Sequence, residues 1–304
     1  MNDQTLKKQR KRYMRAGWED ITLDFVSYFV GITFAAICLL PFLMVVIYSF
    51  TPYDLYIKNH FDFFPARLTL QAYSQVIQYR YLWIGYKNTL IIASLGVVFS
   101  VVLMCITAYP LTKRDLIGHK LMTTLWVITM FFSGGMIPNY FLVRRLGMLN
   151  SLWALILPSM LGCYNLLLMR NYMEGIPESL EEAALLDGAN DLQILFKVVL
   201  PLCIPIIATM ALFEAVNYWN AYFNAIIYNT DRNKWPLQLV LRSLVYDSKA
   251  IGTVEDMAGV DEERTTPFLL KMSAIVVSTL PIMCLYPFLQ KYFMTGLVLG
   301  GVKE

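Results

Sequence analysis

Six stretches of this sequence are long and apolar enough to cross a lipid bilayer: about 24–49, 88–110, 121–142, 152–170, 202–228 and 269–290. A transmembrane helix takes roughly 20 predominantly apolar residues. Backbone in hydrocarbon must satisfy its own hydrogen bonds, and no stretch alternates as a barrel strand would, so each run reads as a helix. The expected fold is therefore all-α, a polytopic bundle of six spans. Composition agrees, with 57% hydrophobic and 15% charged residues against about 45–50% and 25% in soluble domains. The intervening loops are too short for a nucleotide-binding domain, and neither GxxxxGK[ST] nor GxGxxG occurs.

Residues 1–20 form a basic segment with Lys7, Lys8, Arg10, Lys11, Arg12 and Arg15, and residues 21–304 form the transmembrane domain. Basic residues flanking spans favour the cytoplasmic side. Six spans place both termini there, and Lys113, Arg114 and Lys120 in the first inner loop agree, while Arg144 and Arg145 oppose. The segment runs straight into an apolar stretch without a nucleic-acid motif, which argues for a membrane anchor and no nucleic acid. The first run is too long for a cleaved signal peptide and lacks an Ala-x-Ala end. Cys38, Cys105, Cys163, Cys203 and Cys284 show no CxxC spacing and read as apolar filler. His60 and His119 stand apart without ligand-spaced partners, so no metal is expected. Pro41, Pro138, Pro158, Pro205, Pro281 and Pro287 fall inside the runs and are expected to kink them, and Ser133, Gly134 and Gly135 make a further soft point in the third.

Between spans four and five, residues 177–200 predict two short helices. Pro177 suits a first helical position, Glu178, Glu181 and Glu182 put negative charge at the positive end of the dipole, and Gly188 supplies a left-handed stop. Asn190 and Gln193 then have capping-box spacing, followed by Leu192, Leu195, Phe196 and Val199 at i, i+3, i+4 and i+7. That spacing predicts one apolar face.

Glu182-Ala183-Ala184, Asp187-Gly188-Ala189, Phe196 and Leu200-Pro201 resemble the EAA loop of permeases of bacterial binding-protein-dependent ABC importers. The resemblance implies the type I importer permease fold, with this loop acting as coupling helices that dock in a cleft of a cytoplasmic ATPase. The implied coupling residues are Glu181, Glu182, Ala183, Ala184, Asp187, Gly188, Ala189, Phe196 and Pro201. It also implies a second permease subunit, two ATP-binding cassette subunits that hold ATP and Mg, and an extracellular or periplasmic binding protein. This chain would bind no cofactor, catalyse no reaction and sit in the bacterial cell membrane.

Phe132-Ser133-Gly134-Gly135-Met136-Ile137-Pro138, Trp219-Asn220, the stretch Trp235 with Pro236 through Arg242, and Gln290 onward to Lys303 resemble the maltose-type branch, nearest the oligosaccharide and aldouronate permeases. Span five supports a sugar independently of that resemblance. At about 100° per residue, Asn217, Asn220 and Asn224 share one helical face, with Glu214 and Tyr218 at its edge. Amides can donate to and accept from hydroxyls, and Tyr218, Trp219 and Tyr222 offer rings for stacking. The same asparagines could instead hydrogen-bond to a neighbouring helix, and both readings remain open here. The segment 229–267, of mixed charge, is either a dock for the binding protein or a solvated loop. An importer of another solute is the alternative reading. An ion-coupled transporter would need several intramembrane charges, where Glu214 is the one clear candidate.

Overall fold

The computed structural model describes residues 18–58, 65–246 and 268–284. Among them every regular element is helical: α1 (Trp18–Ser49), α2 (Tyr53–Lys58), α3 (Gln71–Gln78), α4 (Arg80–Ala108), α5 (His119–Phe131), α6 (Met136–Arg145), α7 (Trp153–Ile156), α8 (Cys163–Glu174), α9 (Glu178–Leu186), α10 (Asp191–Ile194), α11 (Ile204–Asn220), α12 (Phe223–Tyr228), α13 (Leu237–Tyr246) and α14 (Phe268–Cys284). The expected all-α membrane fold is the fold observed.

The spans are more broken than expected. α1 and α4 are each long and apolar enough to cross a membrane. Three further pairs qualify only together, across bends of 114° between α5 and α6, 50° between the α7 segment and α8, and 80° between the α10 segment and α11. Among the described residues this gives up to five spans, with α14 shorter than the rest. Residues 285–290 of the expected sixth span lie outside the described residues. The third run, expected over 121–142 with a soft point at Ser133 to Gly135, is two helices, because Gly135 takes φ 84°, ψ 175°, a region essentially reserved for glycine. The fifth run, read as 202–228, stops at Asn220 and restarts at Phe223.

Two of the six interior prolines prove to be helix starters. Pro138 stands in the first turn of α6 and Pro205 in that of α11, while Pro158 lies in the 3₁₀ turn Leu157–Ser159. A first-turn N–H has no intrahelical partner to lose, so proline costs little there and marks the restart after a break. Pro41 lies inside α1 and Pro281 inside α14, and Pro287 is outside the described residues.

The chain divides into two units, residues 1–72 with 263–276 and residues 73–262 with 277–304. In the first, Tyr48, Tyr56 and Phe268 form an aromatic cluster with ring centroids 5.1–6.1 Å apart. Ser273 Oγ donates to the Ser49 carbonyl at 3.3 Å. Along α1, Phe25, Phe29, Ile32 and Phe34 stand exposed, as suits a helix solvated by lipid.

The second unit is built around α4, which packs against α8, α11 and α13. Its buried face carries Gly85, Thr89, Gly96, Ser100 and Ala108, and small residues let membrane helices approach closely. One apolar cluster gathers Ile92, Val143, Leu155, Ile156 and Tyr218, and another Met104, Leu166, Met169, Leu195, Val199 and Met210. The Tyr218 hydroxyl lies 3.1 Å from Ser100 Oγ and 3.3 Å from the Ile156 carbonyl, joining α4, α11 and the α7 segment. Replacing Tyr218 by phenylalanine should cost about 1 kcal/mol, to be read as a lowered melting temperature of the purified membrane complex.

Candidate functional site

At the Lys113 end of α4, residues 177–200 form the expected helical hairpin. Pro177 precedes the helix with φ −56°, ψ 125°, so Glu178 takes the first helical position that the sequence offered to Pro177. Gly188 ends α9 at φ 83°. The Ala189 N–H donates to the Ala184 carbonyl at 3.0 Å and the Gly188 N–H to that of Leu185 at 2.9 Å, which satisfies carbonyls the helix end would leave bare. The capping box is complete: Asn190 Oδ1 accepts from the Gln193 N–H at 2.9 Å, and Gln193 Oε1 from the Asn190 N–H at 3.0 Å.

The apolar face beyond the cap differs from the predicted one. Residues Leu195–Val199 wind as a π turn. Ile194, Leu195 and Val199 are buried, while Leu192 and Phe196 are 65% and 57% exposed. The wider turn separates Phe196 from Leu195 and Val199, with which an α-helical count groups it.

The hairpin sorts the predicted coupling residues into three groups. Glu182, Ala183, Asp187 and Gly188 are exposed on the α9 side, joined by Phe196 and Pro201. Leu186, which the sequence reading passed over, is 90% exposed beside them. Ala184 and Ala189 are half-buried and pack against the cluster containing Leu195. Glu181 turns inward, forming an ion pair with Lys113 and accepting a hydrogen bond from the Tyr109 hydroxyl at 3.3 Å.

A second feature lies at the break between α11 and α12. A cleft of about 240 Å³ opens there, lined among others by Ser159, Asn217, Asn220, Tyr222, Phe223 and Asn224. Irregular backbone at membrane depth is tolerated where it lines such a cavity. Asn217, Asn220, Tyr222 and Phe223 are exposed and Asn224 is half-buried. Asn220 Nδ2 donates to the Val216 carbonyl of its own helix at 2.9 Å, and its oxygen lies 3.5 Å from Gln238 Nε2. That amide pair links α11 to α13, and other asparagines make further bonds between elements. Asn88 donates to the Asn233 and Trp235 carbonyls at 2.9 Å each, and Asn165 donates to Glu214 Oε1 at 2.8 Å.

Three residues predicted for the pathway are committed to packing. Tyr218 borders the cleft but is only 1% exposed, and Trp219 is buried with its ring 6.4 Å from that of Tyr86. Glu214 is buried away from the cleft wall, and its second carboxylate oxygen has no partner among the described residues.

Toward the Arg80 end, the first part of the 229–267 segment is tightly held. Asn150, at φ 55°, accepts through Oδ1 from the Thr230 N–H at 2.7 Å, the Thr230 hydroxyl at 3.1 Å and the Asp231 N–H at 3.0 Å. Asp231 caps the 3₁₀ turn Arg232–Lys234, and the Arg232 guanidinium lies 5.9 Å from the Tyr81 ring and 5.6 Å from that of Trp235. Burial pushes the Tyr79 hydroxyl above its ordinary value, and the positive charge of Arg232 works against that shift. Residues 247–267 and the tail at 290–303 lie outside the described residues.

Residues 15–298 match the family described as binding-protein-dependent transport system inner membrane component. The chain is 42% identical over 281 residues to the polygalacturonan/rhamnogalacturonan transport system permease of Bacillus subtilis, covering 92% of this chain and 98% of that protein. It is 30% identical over 280 residues to the arabinooligosaccharide transport permease of Halalkalibacterium halodurans, covering 90% and 95%. In structure it is similar to a subunit of a bacterial ABC transporter that imports the acidic polysaccharide alginate, with a TM-score of 0.83, 32% identity and coverage of 91% and 98%.

Proposed function

Because this chain belongs to the family of binding-protein-dependent transport system inner membrane components, the permeases of ABC-type importers, we propose that its cargo is an oligosaccharide moved unmodified past the α11–α12 break. The observation that carries this reading is the amide-lined cleft, where Asn217, Asn220 and Asn224 stand with Tyr222 and Phe223. Amides match sugar hydroxyls in both hydrogen-bonding senses, and the rings offer apolar faces for a pyranose. Relatives whose names specify polygalacturonan and alginate make uronic-acid oligomers the first cargo to test.

In the proposed assembly this permease pairs with a second one, two ATP-binding cassette subunits hold ATP and Mg, and a binding protein delivers sugar at the Arg80 end. Both chain termini then lie in the cytoplasm with the 177–200 hairpin. The chain itself is a translocation subunit and catalyses nothing. Closure of the ATPases moves the hairpin, and the bundle alternates between inward-open and outward-open cavities.

The test is uptake of neutral and uronic-acid oligosaccharides by proteoliposomes holding the assembled importer. Asn217→Ala combined with Asn220→Ala should raise the half-saturating sugar concentration about 10-fold, the loss expected when one or two sugar hydrogen bonds disappear. Unchanged saturation with every transported sugar would remove this cleft from the pathway.

A further inference from the structure

The ion pair between Lys113 and Glu181 joins two elements with separate tasks. Glu181 belongs to α9, whose other side exposes Glu182 and Ala183. Lys113 caps the Pro110–Thr112 turn that follows α4, the helix around which α8, α11 and α13 pack. Among the described residues, no other α9 side chain makes a hydrogen bond or ion pair beyond its own helix. The receiving end is itself fixed. The Lys113 ammonium lies 4.8 Å from the centre of the Tyr109 ring, Tyr109 is buried, and its hydroxyl donates to the same Glu181 oxygen that Lys113 binds. One residue before the turn ends, the Leu111 carbonyl accepts from Arg170 Nε at 2.8 Å, which anchors the turn to α8.

We propose that Glu181, held by Lys113 and Tyr109, is the strut through which displacement of α9 drives α4, and is a positioning residue outside the ATPase-contacting face. Packed apolar surfaces such as Ala184 and Ala189 against the core slide with little resistance, as in shear motions. A charge-assisted bond resists both pulling and turning, and the Glu181 side chain, 18% exposed, is shielded from much of the screening that weakens surface pairs. Without the strut, ATPase closure still moves α9 but moves α4 less. The inference rests on the reading of 177–200 as the ATPase dock.

The experiment uses the complete importer in proteoliposomes and measures sugar moved per ATP hydrolysed. Lys113→Glu and Glu181→Lys should each lower that ratio about tenfold, Tyr109→Phe should lower it less, and the double reversal should recover it to within about threefold of the parent. A merely structural pair would lower uptake and hydrolysis together and leave the ratio alone, and that result overturns the proposal. It is equally overturned if the single variants lose the ATPase on purification and the double reversal does not regain it. The dock reading fails separately, through normal uptake by an Ala183→Trp variant.

Discussion

Tryptophan at position 183 is expected to stop uptake while leaving the permease folded. Ala183 is exposed on α9, beside Glu182 and one turn from Asp187 and Gly188. Its methyl group contributes nothing to the protein's own core, so the fold loses only the helix-propensity difference between alanine and tryptophan, well under 1 kcal/mol. The proposed docking surface loses far more. Interface cores pack as densely as protein interiors, and an indole cannot be accommodated where a methyl group seats. A penalty of about 3 kcal/mol weakens docking roughly 100-fold. Copurification of the ATPase subunits and sugar uptake should therefore fall together, with the melting temperature unchanged. Ala184→Trp provides the contrast, because Ala184 is half-buried against the cluster containing Leu195. That substitution should lower the melting temperature as well. Normal copurification and uptake with Ala183→Trp would mean that this face of α9 touches no partner.

The hairpin was legible from sequence because its determinants are local. A left-handed glycine at 188 and an Asn190–Gln193 capping box act over four residues, and each was found as read. The soft point at Ser133 to Gly135 was legible for the same reason. The prolines show where the runs bend but not how, since a proline inside an apolar run looks the same whether it kinks one helix or begins the next; the runs bend near Pro138, Pro158 and Pro205. A period of about 3.6 puts Leu192, Leu195, Phe196 and Val199 on one face, and the π turn at Leu195–Val199 changes that period where no sequence rule announces it. The amide face at Asn217, Asn220 and Asn224 left two readings open, and both have a counterpart: Asn217 and Asn220 are exposed at the cleft, while Asn220 also accepts from Gln238 of α13. What sets the bonds of Asn88 is tertiary: its carbonyl partners lie 145 and 147 positions away. Glu181 reads as one more acid in a capped first turn until Lys113, 68 residues earlier, is brought against it.

A valine at position 96 is expected to unfold the second unit locally and abolish uptake. A Cβ built on Gly96 would lie 2.6 Å from Tyr218 Cε2 and Cζ and 2.8 Å from Cδ2, closer than van der Waals contact allows. The ring has no easy retreat. Tyr218 is 1% exposed, and turning it away breaks its hydrogen bonds to Ser100 and Ile156. Overpacking by a single methyl costs about 1–3 kcal/mol, and valine adds two more carbons at a β-branched centre. The alternative to moving the ring is moving α11 from α4, which displaces Asn217 and Asn220 at the cleft. Gly96→Val should thus remove sugar uptake along with much of the thermal stability. Gly96→Ala separates the two consequences. Its cost should shrink by at least about 1 kcal/mol in a Tyr218→Leu background, the coupling expected when two substitutions share one contact. If the costs simply add, the α4–α11 crossing is not set by the seating of this ring on glycine.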